Sequence, residues 1–195
     1  MKLQAIALAL ALTFSFTASA QEAAEETSMS PRTVAETFFA AFKSRNHKGM
    51  NELYAHTESV VFSDPIFVDL DIDEAISMWQ MLLGGQASKW DFAYEIVSVE
   101  GEKVTVDWTA DYVYTQTGRE VHNVVRSELI VRDGKIFSQR DSWDLCAWTT
   151  QAFPYVIGKP MCLAPDLTIR KIARKKLAQF IEKNRDVRTV PNPFQ

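Results

Sequence analysis

Histidine and cysteine are scarce in this chain of 195 residues: three of the first (His47, His56, His122) and two of the second (Cys146, Cys162). None falls at the spacing of a metal-ligand set, so no metal site is expected. Ser59 and Ser142 have no neighbouring His and Asp to complete a nucleophilic triad, which argues against a serine hydrolase. No apolar run reaches the roughly 20 residues that a membrane-spanning helix needs. Internal repeats and low-complexity segments are missing as well. What is present is the composition of an ordinary globular protein, long enough for one domain with a real core plus appendages.

The N-terminus has the marks of a processing segment. Lys2 supplies a positive charge, Ala5 to Leu12 is an unbroken apolar run continued through Phe14 and Phe16, and Ala18-Ser19-Ala20 offers the small-x-small pattern that signal peptidase cuts. Residues 1–20 are expected to be removed, leaving Gln21 first and the protein periplasmic or secreted; the alternative is an uncleaved anchor. No cysteine follows the cut, which argues against a lipid-anchored form. Export would put Cys146 and Cys162 in an oxidising compartment. A disulfide worth about 3 kcal/mol in chain-entropy terms and a pair of inert buried thiols both stay open.

Charge is split along the chain. Residues 1–165 carry 13 basic and 22 acidic side chains, whereas residues 166–195 carry 8 basic and 3 acidic. The acidic body should repel nucleic acid, so no nucleic-acid partner is expected.

Residues 21–29 are acidic and poor in large apolar groups, the signature of a flexible leader. Ser30-Pro31 reads as an N-cap and first helical position. Val34, Phe38 and Phe42, with Ala35 and Phe39, predict an amphipathic helix to about Ser44. A shorter helix over Lys48 to Tyr54 turns Met50, Leu53 and Tyr54 inward. Ser59 to Phe62 reads as a short strand stopped by Pro65. A helix from Asp73, apolar through Ile76, Met78, Trp79, Met81, Leu82 and Leu83, is expected to be largely buried and to end at Gly84-Gly85.

Beyond it the helical period gives way to strand alternation. Trp90 to Val99, Val104 to Tyr112, Val121 to Arg132 and Lys135 to Trp143 read as successive strands, with turns at Gly101, Gly118 and Asp133-Gly134. Alternation puts Trp108 and Tyr112, then Asn123 and Ser127, then Phe137, Gln139, Asp141 and Trp143, on single faces. Helices followed by a meander give an α+β class: a cone of about four long antiparallel strands, N-terminal helices across it, and a C-terminal helical extension. The cone domain is expected over residues 30–153. Within 154–195, Pro154, Pro160 and Pro165 predict an extended linker. A basic amphipathic helix then runs from about Asp166 to Lys183, either docked on the domain or contacting an anionic lipid surface or acidic partner.

Two acidic motifs stand out, Phe62-Ser63-Asp64-Pro65-Ile66-Phe67 and Arg140-Asp141-Ser142-Trp143-Asp144-Leu145. Each sets a carboxylate among apolar residues, where burial raises a carboxyl pKa. Asp64 reads as a general acid or base, or as the acceptor that fixes the Asp-Pro turn. Asp141 reads as its partner acid or as a structural acceptor. Asp144 reads as a helix N-cap.

The order of these elements, with Asp-Pro after the first strand and Asp-Gly-Lys-Ile before Arg-Asp-x-Trp-Asp-Leu, resembles the nuclear-transport-factor-2-like superfamily, nearest its SnoaL-like and ketosteroid-isomerase-related branch. The resemblance spans about Thr33 to Phe153. It implies a cone with an internal pocket. Asp64 falls on the general base of ketosteroid isomerases, and Phe38 and Ser127 stand where those enzymes place their oxyanion-binding tyrosine and aspartate. Asp141 falls on the inward acid of limonene-epoxide-hydrolase-like enzymes, whose Arg-x-Asp pair is replaced by Trp108 and Ala110. The implied ligand-facing residues are Phe38, Phe62, Trp79, Trp108, Tyr112, Asn123, Ser127, Gln139 and Trp143.

The expectation is an exported pocket protein for a small apolar or cyclic molecule. It would carry out cofactor-free proton transfer, cyclisation or hydration, and relatives suggest a homodimer. The alternative is a non-catalytic ligand-binding or protein-interaction module.

Overall fold

The structure, a computed structural model, describes residues 28–85 and 89–189. The expected signal peptide and most of the leader lie outside the described residues. Helix α1 (Pro31–Lys43) starts at Ser30, whose side chain accepts from the Thr33 N–H. It buries Val34, Ala35, Phe38, Phe39 and Phe42, the stripe read from the spacing of four. Helix α2 (His47–Asn51) is shorter than expected, but Met50, Leu53 and Tyr54 are all buried. Strand β1 (Val61–Ser63) precedes α3 (Ile72–Leu83), which Asp71 caps through the Glu74 N–H at 2.8 Å. Leu82 is half exposed rather than buried, because α3 borders the open cavity described below.

Strands β2 (Trp90–Glu100), β3 (Lys103–Tyr114), β4 (Arg119–Arg132) and β5 (Lys135–Ser142) form the long antiparallel meander. Short β1 adds to β5 in parallel, giving the order β1-β5-β4-β3-β2. Asp133 (φ 48°) and Gly134 (φ 72°) make the tight β4–β5 turn, where both central residues need positive φ. One face of β3 and β4, including Val104, Val106, Trp108, Val121, Val125 and Leu129, is buried under the helices. The other face carries ion pairs such as Arg126–Asp107 and Arg132–Glu102.

The alternation read along the last strand needs one correction. The β4–β5 register shifts between Ile130 and Val131, leaving Phe137 as the extra residue. A bulge reverses side-chain direction, so Ile136 is buried in its place. Gln139 and Asp141 still point inward, since both lie beyond the bulge.

The expected extended linker is also corrected. After α4 (Leu145–Ala152), capped by Asp144 through the Ala147 N–H at 2.9 Å, the chain forms a further helix, α5 (Tyr155–Leu163), with Pro160 inside it. Proline costs that helix one backbone hydrogen bond, and tertiary contacts outweigh the loss. A Cβ at Gly158 would lie 2.3 Å from the Thr149 carbonyl oxygen, so α4 and α5 touch backbone to backbone. Cys146 and Cys162 join the same two helices in a disulfide with Cα atoms 4.9 Å apart. A 3-10 turn (Pro165–Leu167) leads to α6 (Ile169–Thr189). Helix α6 docks on α3, burying Ile169 and Leu177.

Candidate functional site

The cone encloses a cavity of about 460 Å³ between α3, the inner sheet face and α6. Asp64, Asp141, Trp79, Trp108, Tyr112, Asn123 and Trp143 all border it. Phe38, Phe62, Ser127 and Gln139 do not. Phe38 and Phe62 are fully buried, each edge-on to Trp79 at 6.3 Å and 5.3 Å, so they support the wall from behind. Ser127 and Gln139 lie beneath the cavity and serve Asp141.

Asp141 is 5% exposed and sits at the centre of a polar network. The β4–β5 register sets it opposite Ser127, whose hydroxyl donates to its Oδ1 at 2.6 Å. Gln139, two residues earlier on the same face, donates from Nε2 to Oδ1 at 3.0 Å and to Oδ2 at 3.2 Å. Ser127 is held by the Trp108 indole at 2.8 Å, a diagonal neighbour across β3 and β4. Gln139 Oε1 accepts from the Tyr54 hydroxyl, which accepts from the Trp79 indole at 3.0 Å. Burial pushes the Asp141 carboxyl up to about 7; the Ser127 and Gln139 hydrogen bonds oppose this, and the charge of Asp64 adds to it. With Oδ1 doubly bonded and Oδ2 holding only the longer contact, Oδ2 is the atom left for a proton or a ligand.

Asp64 has a double duty. Its Oδ1 accepts from the Ile66 N–H at 2.7 Å and from the Phe67 N–H, which fixes the Asp-Pro turn. Its Oδ2 has no hydrogen-bond partner among the described residues. Burial raises its carboxyl to about 6, against the lowering effects of the Phe67 and Ile66 N–H groups and of Arg170. The turn is gripped from α6: Arg170 donates to the Pro65 carbonyl at 2.9 Å, and Arg174 to the Val68 carbonyl and to Glu74.

Several contributors were not named as site residues from sequence. Tyr54 was read only as an inward core residue; its hydroxyl belongs to the Asp141 network, and burial raises its pKa well above the usual phenol range. Trp148 donates to the Tyr112 hydroxyl at 2.7 Å, and burial pushes Tyr112 up to about 12. Ile169, Ile172, Ala173 and Lys176 of α6 border the cavity. The amphipathic helix itself was visible, but its contact with a site a hundred residues away was not. Among the described residues, no group of three or more His, Cys, Asp or Glu side chains is placed to hold a metal ion.

A family model, the SnoaL-like domain, matches residues 35–139. The chain belongs to the SnoaL-like family. None of the curated proteins matches it. Solved structures give the same fold for the SnoaL-like domain. An NTF2-like protein from Burkholderia thailandensis is 18% identical, with TM-score 0.54, over 64% of this chain and 97% of that one. A proposed polyketide cyclase from Streptomyces antibioticus is 18% identical, with TM-score 0.52, over 63% and 98%. A protein of ketosteroid isomerase-like fold from Catenulispora acidiphila, solved with trimethylamine, is 17% identical, with TM-score 0.51, over 61% and 91%. At these identities the likeness is one of fold. The SnoaL-like match stops two residues short of Asp141, so one of the two cavity acids and all of α4–α6 lie beyond it.

Proposed function

We propose that this SnoaL-like protein binds a small, largely apolar or cyclic molecule and catalyses a cofactor-free proton transfer on it, of the isomerisation, cyclisation or hydration type. One observation carries the reading: two carboxylates border a single aromatic-walled cavity, both raised toward neutrality by burial. Aromatic walls favour a flat or cyclic ligand. Burial raises Asp141 further than Asp64, so in the singly protonated pair we assign the carboxylate to Asp64 and the proton to Asp141. Asp64 Oδ2 then accepts a proton from the substrate, while Asp141 Oδ2–H donates to the oxygen on which charge develops. The Trp79–Tyr54–Gln139 chain and Ser127 hold that donor in place. The two acids influence each other's titration, so kcat/KM should follow a bell whose limbs belong to the pair.

A second reading is a binding module without turnover. It is favoured by Phe38, which offers no hydroxyl, and by Ser127, which spends its own on Asp141. A screen of cyclic ketones, enones and epoxides, followed by Asp64→Asn and Asp141→Asn, separates the two. Loss of turnover by about a hundredfold or more with binding retained supports the enzyme. Binding without turnover in any variant supports the module.

Export is part of the proposal. It is supported by the N-terminal pattern and by the Cys146–Cys162 bond, which an oxidising compartment would preserve. Mass spectrometry of the mature protein should find Gln21 first. A homodimer would use the outer sheet face, and sedimentation velocity tests it.

A further inference from the structure

Helix α5 and the turn after it leave an apolar surface open. Among the described residues, Val156 is 79% exposed, Leu163 71% and Leu167 80%, and Tyr155 and Ile157 are also exposed. Val156, Pro160 and Leu163 follow helical spacing, so they share one face of α5. Gly158 and Met161 face the other way, into the α4 contact. Scattered apolar residues on a surface are ordinary, but several together on one short segment mark a contact.

The surroundings indicate its kind. Residues 155–184 carry seven basic and two acidic side chains. Arg170 and Arg174 are engaged with Asp166 and Glu74. Lys159 on α5 and Lys171 and Lys175 on α6 are exposed and make no ion pair among the described residues. The rest of the body is acidic. A second copy meeting this patch across a two-fold axis would set lysine against lysine. An anionic bilayer satisfies both features, taking the apolar side chains below its headgroups and the lysines at its surface. Among the described residues no helix is long and apolar enough to cross a membrane, so the contact is superficial.

We propose that the exposed face of α5, with Leu167 and the free lysines of α5 and α6, docks the protein on an anionic phospholipid surface. Ile172, Ala173 and Lys176 of α6 line the cavity, so docking through α6 brings a wall of the cavity near the lipid. An apolar ligand then passes between bilayer and cavity without crossing water. This last step rests on the small-molecule reading above; the docking does not. It also places the apolar contribution on α5, since Ile169 and Leu177 of α6 are buried where that helix packs on α3.

The test is co-sedimentation of the protein, as purified from its host cell, with vesicles of phosphatidylglycerol and phosphatidylcholine or of phosphatidylcholine alone. Amide exchange over residues 155–167 localises the contact. Binding is expected only to the anionic vesicles, falling with salt and protecting this segment. Val156→Ser with Leu163→Ser should weaken it by about a hundredfold. Lys171→Glu with Lys175→Glu should weaken it by at least about thirtyfold. Both pairs lie off the cavity, so ligand binding in vesicle-free solution should persist. If ligand binding is never seen while vesicle binding is, the small-molecule reading fails and docking stands. No vesicle binding, equal binding to both vesicles, binding unmoved by both double variants, or a dimer that Val156→Ser with Leu163→Ser dissolves would each overturn the docking.

Discussion

Asp141→Asn should stabilise the protein at alkaline pH and leave it nearly unchanged in acid. In the fold the Asp141 carboxyl keeps its proton to about pH 7, against an ordinary value of 3.8. Between those limits the unfolded chain has released a proton that the folded chain still holds, so stability falls as pH rises. At about 1.36 kcal/mol per pH unit, the fall from this one group is up to ~4 kcal/mol, complete above pH 7. That is a large share of a total stability of roughly 5–15 kcal/mol. Asparagine has nearly the same shape, still accepts from Ser127, and cannot ionise. Urea denaturation of the oxidised protein at pH 5 and pH 8, wild type against variant, reads the difference. The expected result is a gain of about 2–4 kcal/mol at pH 8 that shrinks at pH 5. Equal destabilisation at both values would show that Asp141 is an ionised scaffold acceptor, and the proton-donor role would fall with it.

Three further outcomes follow from the same geometry. Tyr54→Phe leaves the Trp79 indole and the Gln139 carbonyl unpaired in a buried site and should cost about 1–3 kcal/mol in denaturant unfolding. Gly158→Ala forces a methyl onto the Thr149 carbonyl and should cost about 1–3 kcal/mol by the same measurement. Cys146→Ser with Cys162→Ser opens a loop with a sequence separation of 16 and should lower stability by about 3 kcal/mol, seen as a lower thermal midpoint, with the reduced wild type matching it.

Much of the fold was legible because local signals agreed with one another. Ser30-Pro31, the spacing of four in α1, the alternation of β3 and β4, and Asp133-Gly134 each fix a local conformation with little help from elsewhere. The misread elements are those where tertiary contacts overrule local preference. Pro160 argued against a helix, and the Gly158–Thr149 contact, the buried Met161 and the Cys146–Cys162 bond hold it in one. Gly158, Met161 and Cys162 stand at helical spacing and were the signal available. The bulge at Phe137 has no such mark. Within the site, both acids and most of the aromatic wall were nameable in advance, since a carboxylate among apolar residues is conspicuous in one dimension. The hydrogen-bond network was not, because Tyr54 and Gln139 lie 85 residues apart and meet through the Tyr54–Ile136 bridge, which lays the segment after α2 along β5. Phe38 and Phe62 were assigned to the ligand although they back Trp79, a distinction of one side-chain layer that alternation cannot make.

Arg170 and Arg174 reach from α6 to the Pro65 carbonyl within the Asp64 turn and the Val68 carbonyl just after it, and the same helix walls the cavity. Any displacement of α6 would have to slacken both arginine tethers, so this wall of the cavity and the loop that carries Asp64 are mechanically joined.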